Sequence, residues 1–120
     1  MAPTYQKVES FFMSKVKISE LKDAPSEGLG KQINLTHPFT EIKYCLAIFC
    51  VEGKYYVLTD ECKICGGSLG RVSDLRGMFA ACNKEECLWN VKRGSCKFDR
   101  SLVTPTYRVS NMEDGLYIEI

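Results

Sequence analysis

Alternating polar and apolar positions near the start of the chain predict two short β-strands. Residues 15–19 place Val16 and Ile18 on one face and lysines on the other, and this period of two is typical of a half-buried strand. Residues 31–35 predict a second strand. The polar stretch between them contains Pro25 and two glycines, which predicts a loop.

Two denser strands are predicted in the middle of the chain, at residues 42–51 and 54–59. Both are rich in β-branched and aromatic residues, which pleated sheets favour. The two-residue connection Glu52-Gly53 is suited to a tight hairpin. A closing hairpin is predicted from residues 106–109 and 116–120. Because no segment has a convincing helical period, we predict an all-β fold with short strands.

The length and charge of the chain exclude several classes of protein. A chain of 120 residues predicts one domain with a core of its own. We assign residues 1–14 to a flexible N-terminal extension and 15–120 to the domain. The net charge of +1 carries no electrostatic footprint for nucleic acid. No apolar run approaches the roughly 20 residues of a membrane span, and no secretory signal is recognisable.

The chain contains seven cysteines, an odd and high count. Without a secretory signal, a reducing, cytoplasmic setting is expected. Cysteines in that setting are more often metal ligands than disulfides.

Four of these cysteines have the spacing of metal ligands. Cys62 and Cys65 form one Cys-x2-Cys pair, and Cys82-x4-Cys87 follows after sixteen residues. Two thiol pairs on two loops can converge on one point, and four thiolates suit zinc or iron–sulfur chemistry. Spacing alone favours zinc, with iron–sulfur and unrelated buried cysteines as the alternatives.

The glycines that follow the first pair, Gly66, Gly67 and Gly70, would let the backbone turn tightly. Their amide groups would then be free to point at sulfur. Short apolar pieces at 78–81 and 88–91 predict strands next to the two loops. We therefore predict a metal-binding subdomain at about residues 60–96.

The order of these elements resembles the Rieske-type ferredoxin family over residues 16–120. Residues 62–69, CKICGGSL, are similar to that family's Cys-x-His-x-Gly-Gly-x-Leu loop. Residues 79–82 resemble the strand that enters its second loop, and residues 104–118 resemble its closing hairpin. The resemblance implies a Rieske-like stack of small antiparallel sheets, with two metal-binding loops at one end.

The two histidine ligands of that family are missing from this chain. Ile64 and Glu85 stand where the family motif has histidine, and the only histidine is His37. Cys65 and Cys87 are offset from those positions by one and two residues, which suggests that thiolates replace both imidazoles. An alternative alignment, with Cys87 and Asn90 as the second-loop ligands, also lacks histidine.

The resemblance implies a small soluble electron-transfer protein that is not itself an enzyme. Its cofactor would be a 2Fe-2S cluster on Cys62, Cys65, Cys82 and Cys87. The alternative is a zinc-binding Rieske-fold module with a structural or interaction role. The implied partner is a redox protein, such as a reductase or an oxygenase or reductase subunit. Four thiolates would lower the potential relative to a two-histidine cluster.

The remaining candidate residues are more simply explained by packing or by a surface position than by a functional role. We expect Cys45 and Cys50 to be buried small hydrophobes, Cys96 to have a structural or surface role, and His37 to lie on the surface. Trp89 is expected to pack behind a metal-binding loop. A cluster of basic residues is either a solvated face or a docking surface for an acidic redox partner: Lys84, Lys92, Arg93, Lys97 and Arg100.

Overall fold

A computed structural model of the chain describes residues 14–71 and 75–120. The described residues form ten strands and one 3-10 turn, Leu21–Asp23. The strands are β1 Lys15–Ser19, β2 Gly30–Thr36, β3 Lys43–Val51, β4 Lys54–Thr59, β5 Leu75–Arg76, β6 Phe79–Ala81, β7 Leu88–Asn90, β8 Thr106–Tyr107, β9 Val109–Met112 and β10 Gly115–Glu119.

Three small antiparallel sheets make up the fold. The strand orders are β1-β10-β9, β2-β3-β4-β8 and β5-β6-β7. This arrangement confirms the all-β prediction of small antiparallel sheets. The described part of the chain contains no helix long and apolar enough to cross a membrane.

The four-stranded sheet is central, because both of its faces are buried. On β3, Leu46 and Ile48 point to one face while Ala47 and Phe49 point to the other, and all four are at most 1% exposed. Successive side chains on a strand point to opposite faces. An unbroken apolar run is therefore what a strand needs when both of its faces are covered.

Two hydrophobic cores lie on the two faces of this sheet. The aliphatic core consists of Ile33, Leu46, Ile48, Val57, Leu116 and Ile118. The thiol-side core consists of Ala47, Phe49, Leu58, Cys62, Leu69, Ala80, Cys82, Trp89, Val91 and Cys96. The aliphatic core lies between the central sheet and the β1-β10-β9 sheet, and the thiol-side core includes the residues around the β5-β6-β7 sheet.

The hairpin predicted between β3 and β4 is confirmed. Glu52 and Gly53 have φ angles of 53° and 75°, and two positive φ angles are typical of the type I′ turn that matches the twist of a hairpin. The Glu27 carboxylate accepts hydrogen bonds from both backbone amides of this turn. Those bonds and the thiol of Cys50 lower the pKa of Glu27, although partial desolvation opposes the shift.

The closing hairpin is built differently from the prediction. Met112 lies opposite Gly115 across a two-residue turn, which places Val109 opposite Ile118. The hairpin strand is therefore β9, so the predicted pairing of residues 106–109 is confirmed for Val109 and wrong for Thr106 and Tyr107. Thr106 and Tyr107 instead pair with β4 of the central sheet, because they lie beyond the last residue that this register pairs with β10.

The predicted N-terminal extension lies almost wholly outside the described residues. Its last residue, Ser14, is described, and its backbone exchanges two hydrogen bonds with that of Ile120, at 3.0 and 2.9 Å. The backbone pairing of β1 with β10 therefore continues to Ser14 and Ile120.

Candidate metal centre

The first cysteine loop is a tight turn that begins at Cys62. The Cys62 amide donates to the Gly67 carbonyl at 2.7 Å, and the Gly66 amide donates back to the Cys62 carbonyl at 2.8 Å. Gly66 has a φ of 77°, in the left-handed region that glycine adopts without a steric cost. The turn brings Cys65 back over Cys62.

The second cysteine loop closes on itself in a similar way. The Cys82 amide donates to the Cys87 carbonyl at 3.0 Å, and the Cys87 amide donates to the Cys82 sulfur at 3.3 Å. Glu86 completes the turn with a φ of 55°, a conformation that is uncommon for a residue other than glycine. Both cysteines of the pair therefore face the same side of the loop.

Reciprocal hydrogen bonds join the two loops. The Ser68 amide donates to the Asn83 side-chain oxygen at 2.8 Å, and the Asn83 amide donates to the Ser68 carbonyl at 3.0 Å. A Cβ atom on Gly67 would lie 2.9 Å from that Asn83 oxygen, so the close approach of the loops requires glycine there. The side-by-side placement of the loops agrees with the predicted arrangement.

The structure brings together the four cysteines that the spacing selected. The sulfur atoms of Cys62, Cys65, Cys82 and Cys87 all lie within 4.8 Å of one another. The Cys65 and Cys82 sulfurs, which come from different loops, are 3.3 Å apart. All seven cysteines are free thiols. Four soft donors at one point form a set that metal ions such as zinc and iron prefer.

Backbone amides stabilise negative charge on these sulfurs. Burial of Cys82 opposes its ionisation, but hydrogen bonds from the Cys65 thiol and from the amides of Lys84, Glu85 and Cys87 lower its pKa to about 7. Burial and the neighbouring thiols of Cys62 and Cys82 raise the pKa of Cys87. The Cys82 thiolate is therefore favoured in the metal-free site, and its negative charge opposes the ionisation of Cys87.

The pKa of Cys65 is also raised, although the amide of Gly67 favours its thiolate; burial and the thiols of Cys82 and Cys62 outweigh that bond. The predicted amide–sulfur role of the glycines therefore applies to Gly67. It is wrong for Gly70, because the Gly70 amide donates to the Asp60 carboxylate at 2.7 Å.

One side of the cysteine cluster is buried and the other is open. Cys62 and Cys82 are each 1% exposed, whereas Cys65 and Cys87 are half-buried. Trp89 is fully buried and packs in the same core, as predicted. Its indole N–H also donates to the Cys62 sulfur at 3.3 Å. Sequence reasoning missed that bond, since its only signal was a tryptophan two residues after a candidate ligand.

The two positions of the missing histidines face solvent. Ile64 is 50% exposed, and Glu85 is exposed as well. His37 is 3% exposed, so the prediction that it lies on the surface is wrong. Its Nδ1 accepts from the amides of Phe39 and Thr40. The proton is therefore on Nε2, which donates to the Ile120 carbonyl at 3.2 Å, and neither ring nitrogen is free for a metal.

The other three cysteines lie outside the cluster of four. Cys50 is buried, as expected, and Cys96 is buried as well. Cys45 is exposed, and its sulfur lies 3.7 Å from the Asp60 carboxylate; the prediction of burial is wrong there. The pairing of β3 with β4 begins at Leu46, and the Asp60 amide still donates to the Cys45 carbonyl at 3.0 Å. The Cys45 side chain is exposed because it lines a surface pocket together with Asp60.

The basic residues after the second loop are all exposed. The Lys97 ammonium lies 5.2 Å from the ring centre of Phe79 and 5.8 Å from that of Phe98, distances that permit cation–π attraction. Phe98 is itself 76% exposed. This surface therefore combines positive charge with exposed aromatic area.

Comparison with solved structures identifies the fold. A ferredoxin of Sphingomonas yanoikuyae has a TM-score of 0.67 at 19% identity, over 88% of this chain and 96% of that one. The ferredoxin of carbazole 1,9a-dioxygenase from Nocardioides aromaticivorans has a TM-score of 0.68 at 12% identity, over 87% of this chain and 95% of that one. A chain in the complex of reduced oxygenase and oxidized ferredoxin in carbazole 1,9a-dioxygenase has a TM-score of 0.69 at 19% identity, over 87% of this chain and 91% of that one.

No protein-family model and no curated protein matches the sequence. The structural likeness spans nearly the whole domain, and identities this low establish the fold alone. The chain therefore has the Rieske-like ferredoxin fold, with the cysteine cluster where its two loops meet.

Proposed function

We propose that this chain is a small one-electron carrier whose iron centre is held by Cys62, Cys65, Cys82 and Cys87. The observation that carries the proposal is the convergence of the four sulfurs within 4.8 Å on a fold shared with ferredoxins. Bound iron would supply two oxidation states. The two-iron cluster that the resemblance implies remains a prediction, and a single iron would serve the same function.

The uneven burial of the site supports a role in electron transfer. Cys62 and Cys82 are anchored in the thiol-side core, while Cys65 and Cys87 are partly open to solvent. An electron carrier must let its partner approach the metal ligands closely, and the open side provides that approach. A purely structural metal site needs no such opening.

The ligand set predicts the electrochemistry. If the centre is a two-iron cluster, four thiolates add more negative charge than two thiolates and two histidines, so its reduction potential should be lower than that of a two-histidine cluster. Imidazole ligands titrate near neutral pH, and this ligand set contains none. We therefore expect a potential that does not change with pH across the neutral range.

The proposed partner is another redox protein, a reductase or an oxygenase or reductase subunit, met in the cytoplasm. A structure of one neighbour is a complex of a ferredoxin with its oxygenase. On this chain, Lys84, Lys92 and Arg93 are exposed, and positive charge of this kind would orient an acidic partner surface.

A zinc-binding module is the second candidate. It is favoured by the amide–sulfur bonds to Cys65 and Cys82, which would stabilise a closed four-thiolate zinc site equally well. Such a module would be colourless and would accept no electron.

The test is the metal content and redox behaviour of full-length protein made with ample iron. A carrier should be coloured and contain iron, and dithionite should bleach it reversibly. Cys87→Ala should abolish the colour, whereas Glu85→Ala should keep it, because an exposed side chain at that position is not a ligand. A colourless zinc protein that takes up no electron would refute the carrier.

Metal removal separates the two candidates further. The aliphatic core contains no cysteine, so a carrier stripped of metal should lose redox activity and keep most of its β-sheet circular dichroism. A structural zinc site would unfold the domain when chelated. Loss of the β-sheet signal on chelation would therefore favour the zinc module.

A further inference from the structure

We infer that the four cysteines form a site for one tetrahedral metal ion and not for a two-iron cluster. The inference deepens the proposed function and rests on the same four sulfurs. It departs from the fold family, whose clusters hold two irons.

The distances among the sulfurs match the edges of a single tetrahedron. With metal–sulfur bonds of about 2.3 Å, the four sulfurs around one ion lie about 3.8 Å apart. In this structure no sulfur pair of the four exceeds 4.8 Å, and Cys65 to Cys82 measures 3.3 Å. Small side-chain rotations would bring these sulfurs onto one ion.

A two-iron cluster needs a wider arrangement. It consists of two tetrahedra that share an edge of inorganic sulfide, so two thiolates bind each iron and the pairs point in opposite directions. With the same bond length, sulfurs on different irons lie at least about 5.3 Å apart, and diagonal pairs about 6.5 Å. Such a cluster has four pairs of this kind, and all six pairs among the four cysteines here are within 4.8 Å.

The backbone holds the two loops at this narrow spacing. The reciprocal bonds between Ser68 and Asn83 join the loops directly. At Gly67 the backbone approaches so closely that an added Cβ would lie 2.9 Å from Asn83 and 3.3 Å from Lys84. A wider site would require these contacts to break, so the spacing is a property of the loops and not only of thiol rotamers.

The missing histidines fit the same conclusion. In the family motif, each loop supplies one cysteine and one histidine, and the longer imidazole reaches further from the backbone than a thiol. Here Ile64 and Glu85 project into solvent, and each loop supplies two short thiol side chains. Shorter ligands on loops at fixed spacing leave a smaller site.

Native mass spectrometry of the full chain, isolated from iron-supplemented cells, tests the inference directly. We expect the added mass of one metal ion per chain, no acid-labile sulfide, and an X-ray absorption spectrum with four metal–sulfur neighbours and no metal–metal scattering. Two irons and two sulfides per chain, with iron–iron scattering, would overturn the inference while leaving the electron carrier standing.

The remaining outcomes separate the two proposals. One iron per chain supports both. One zinc per chain supports the single-ion site and refutes the carrier. If the isolated protein holds no metal, it is titrated with Co²⁺, whose visible bands report tetrahedral thiolate ligation. Saturation at one Co²⁺ supports the single-ion site, and the absence of those bands refutes both proposals.

Matched cysteine variants exclude a site elsewhere on the chain. Cys65→Ser should weaken Co²⁺ binding by more than about 100-fold, because even outer-shell changes cost 10- to 100-fold. Cys45→Ser removes an exposed thiol outside the cluster and should leave the stoichiometry at one. Equal losses in the two variants would contradict the assigned ligands.

Discussion

The two faces of the central sheet bury cores of different chemistry. The aliphatic core contains only isoleucine, leucine and valine, whereas the thiol-side core contains three cysteines and a tryptophan. Both draw on the same strands: Val57 of β4 points to one and Leu58 to the other. The aliphatic core is held by apolar burial alone, while the thiol-side core also places four sulfurs together at its edge.

This difference separates stability from metal chemistry. Apolar burial stabilises a core whether or not a metal is bound. Four clustered thiols, in contrast, must lose protons to bind a metal. We therefore expect substitutions on the two faces to have separable effects on metal binding and on stability.

The largest effect should come from Cys82→Ser, compared with Cys96→Ser. Both side chains are 1% exposed and lie in the thiol-side core, but only Cys82 belongs to the cluster of four. Cys82→Ser should reduce bound metal from one ion per chain to nearly none, and Cys96→Ser should leave it unchanged. Metal analysis after gel filtration is the measurement. Full metal retention in Cys82→Ser would show that the cluster is not the binding site.

Ile118→Ala should have a large effect on stability and none on metal content. Ile118 is fully buried in the aliphatic core, and removing a buried isoleucine side chain typically costs about 2–5 kcal/mol. Urea unfolding should show that the substitution lowers the free energy of unfolding by similar amounts in the metal-bound and metal-free proteins. A loss confined to the metal-bound form would mean that the two faces are coupled.

Trp89→Phe should have a moderate effect at the metal centre. The substitution keeps an aromatic ring in the core but removes the N–H bond to the Cys62 sulfur. We expect about a 10-fold weaker affinity for Co²⁺ and about 1 kcal/mol lower stability. If the metal is iron, the reduction potential should also fall, since hydrogen bonds to sulfur raise it.

The control for that variant is Tyr56→Phe. Tyr56 packs against the same core, and its substitution also removes one polar atom from an aromatic side chain. Metal affinity should be unchanged there. Equal shifts in the two variants would assign the effect to packing and not to the N–H···S bond.

The smallest effect should be a change in the pH dependence of stability when Glu27, which binds the β3–β4 turn, is replaced. The turn amides lower the pKa of Glu27 below the ordinary value of a glutamate, so the folded state favours the carboxylate. Its contribution to stability is complete above the unfolded pKa and is lost as pH falls through the folded pKa. Glu27→Gln should therefore flatten the pH dependence of stability below about pH 4.5.

Urea unfolding at a series of pH values measures this slope. Glu113→Gln, at an exposed position within the β9–β10 turn, serves as the control for the loss of one exposed carboxylate. Metal content should be the same in both variants, because neither glutamate belongs to the cysteine cluster. A change of metal content in Glu27→Gln would connect the distant turn to the centre.

Much of the strand pattern could be predicted because it depends on local periodicity. The predictions for residues 15–19 and 54–59 match β1 and β4 in full, and the prediction for residues 42–51 matches β3 to within one residue. The predicted pairing of Thr106 and Tyr107 was wrong because a turn register and a neighbouring sheet compete for the same segment. The local sequence of this segment does not indicate whether β10 or β4 will be its partner strand.

The burial of single residues was harder to predict. Cys45 belongs to the same apolar run as Leu46, yet its side chain lines a surface pocket with Asp60 and is exposed. His37 lies in a polar turn, yet the backbone near the C-terminus covers it. In both cases a distant segment decides the exposure, and the residue's own neighbours in sequence do not.

The residue types along the chain limit the metal chemistry that can be proposed. With two cysteine pairs, and with isoleucine and glutamate where the resembled motif has histidine, the proposed ligands are all thiolates. The size of the proposed site depends on the tertiary structure, because the contacts of Gly67 and Ser68 with Asn83 set the distance between loops that are far apart along the chain. Ligand identity is a property of single residues, whereas ligand spacing depends on how separate segments pack.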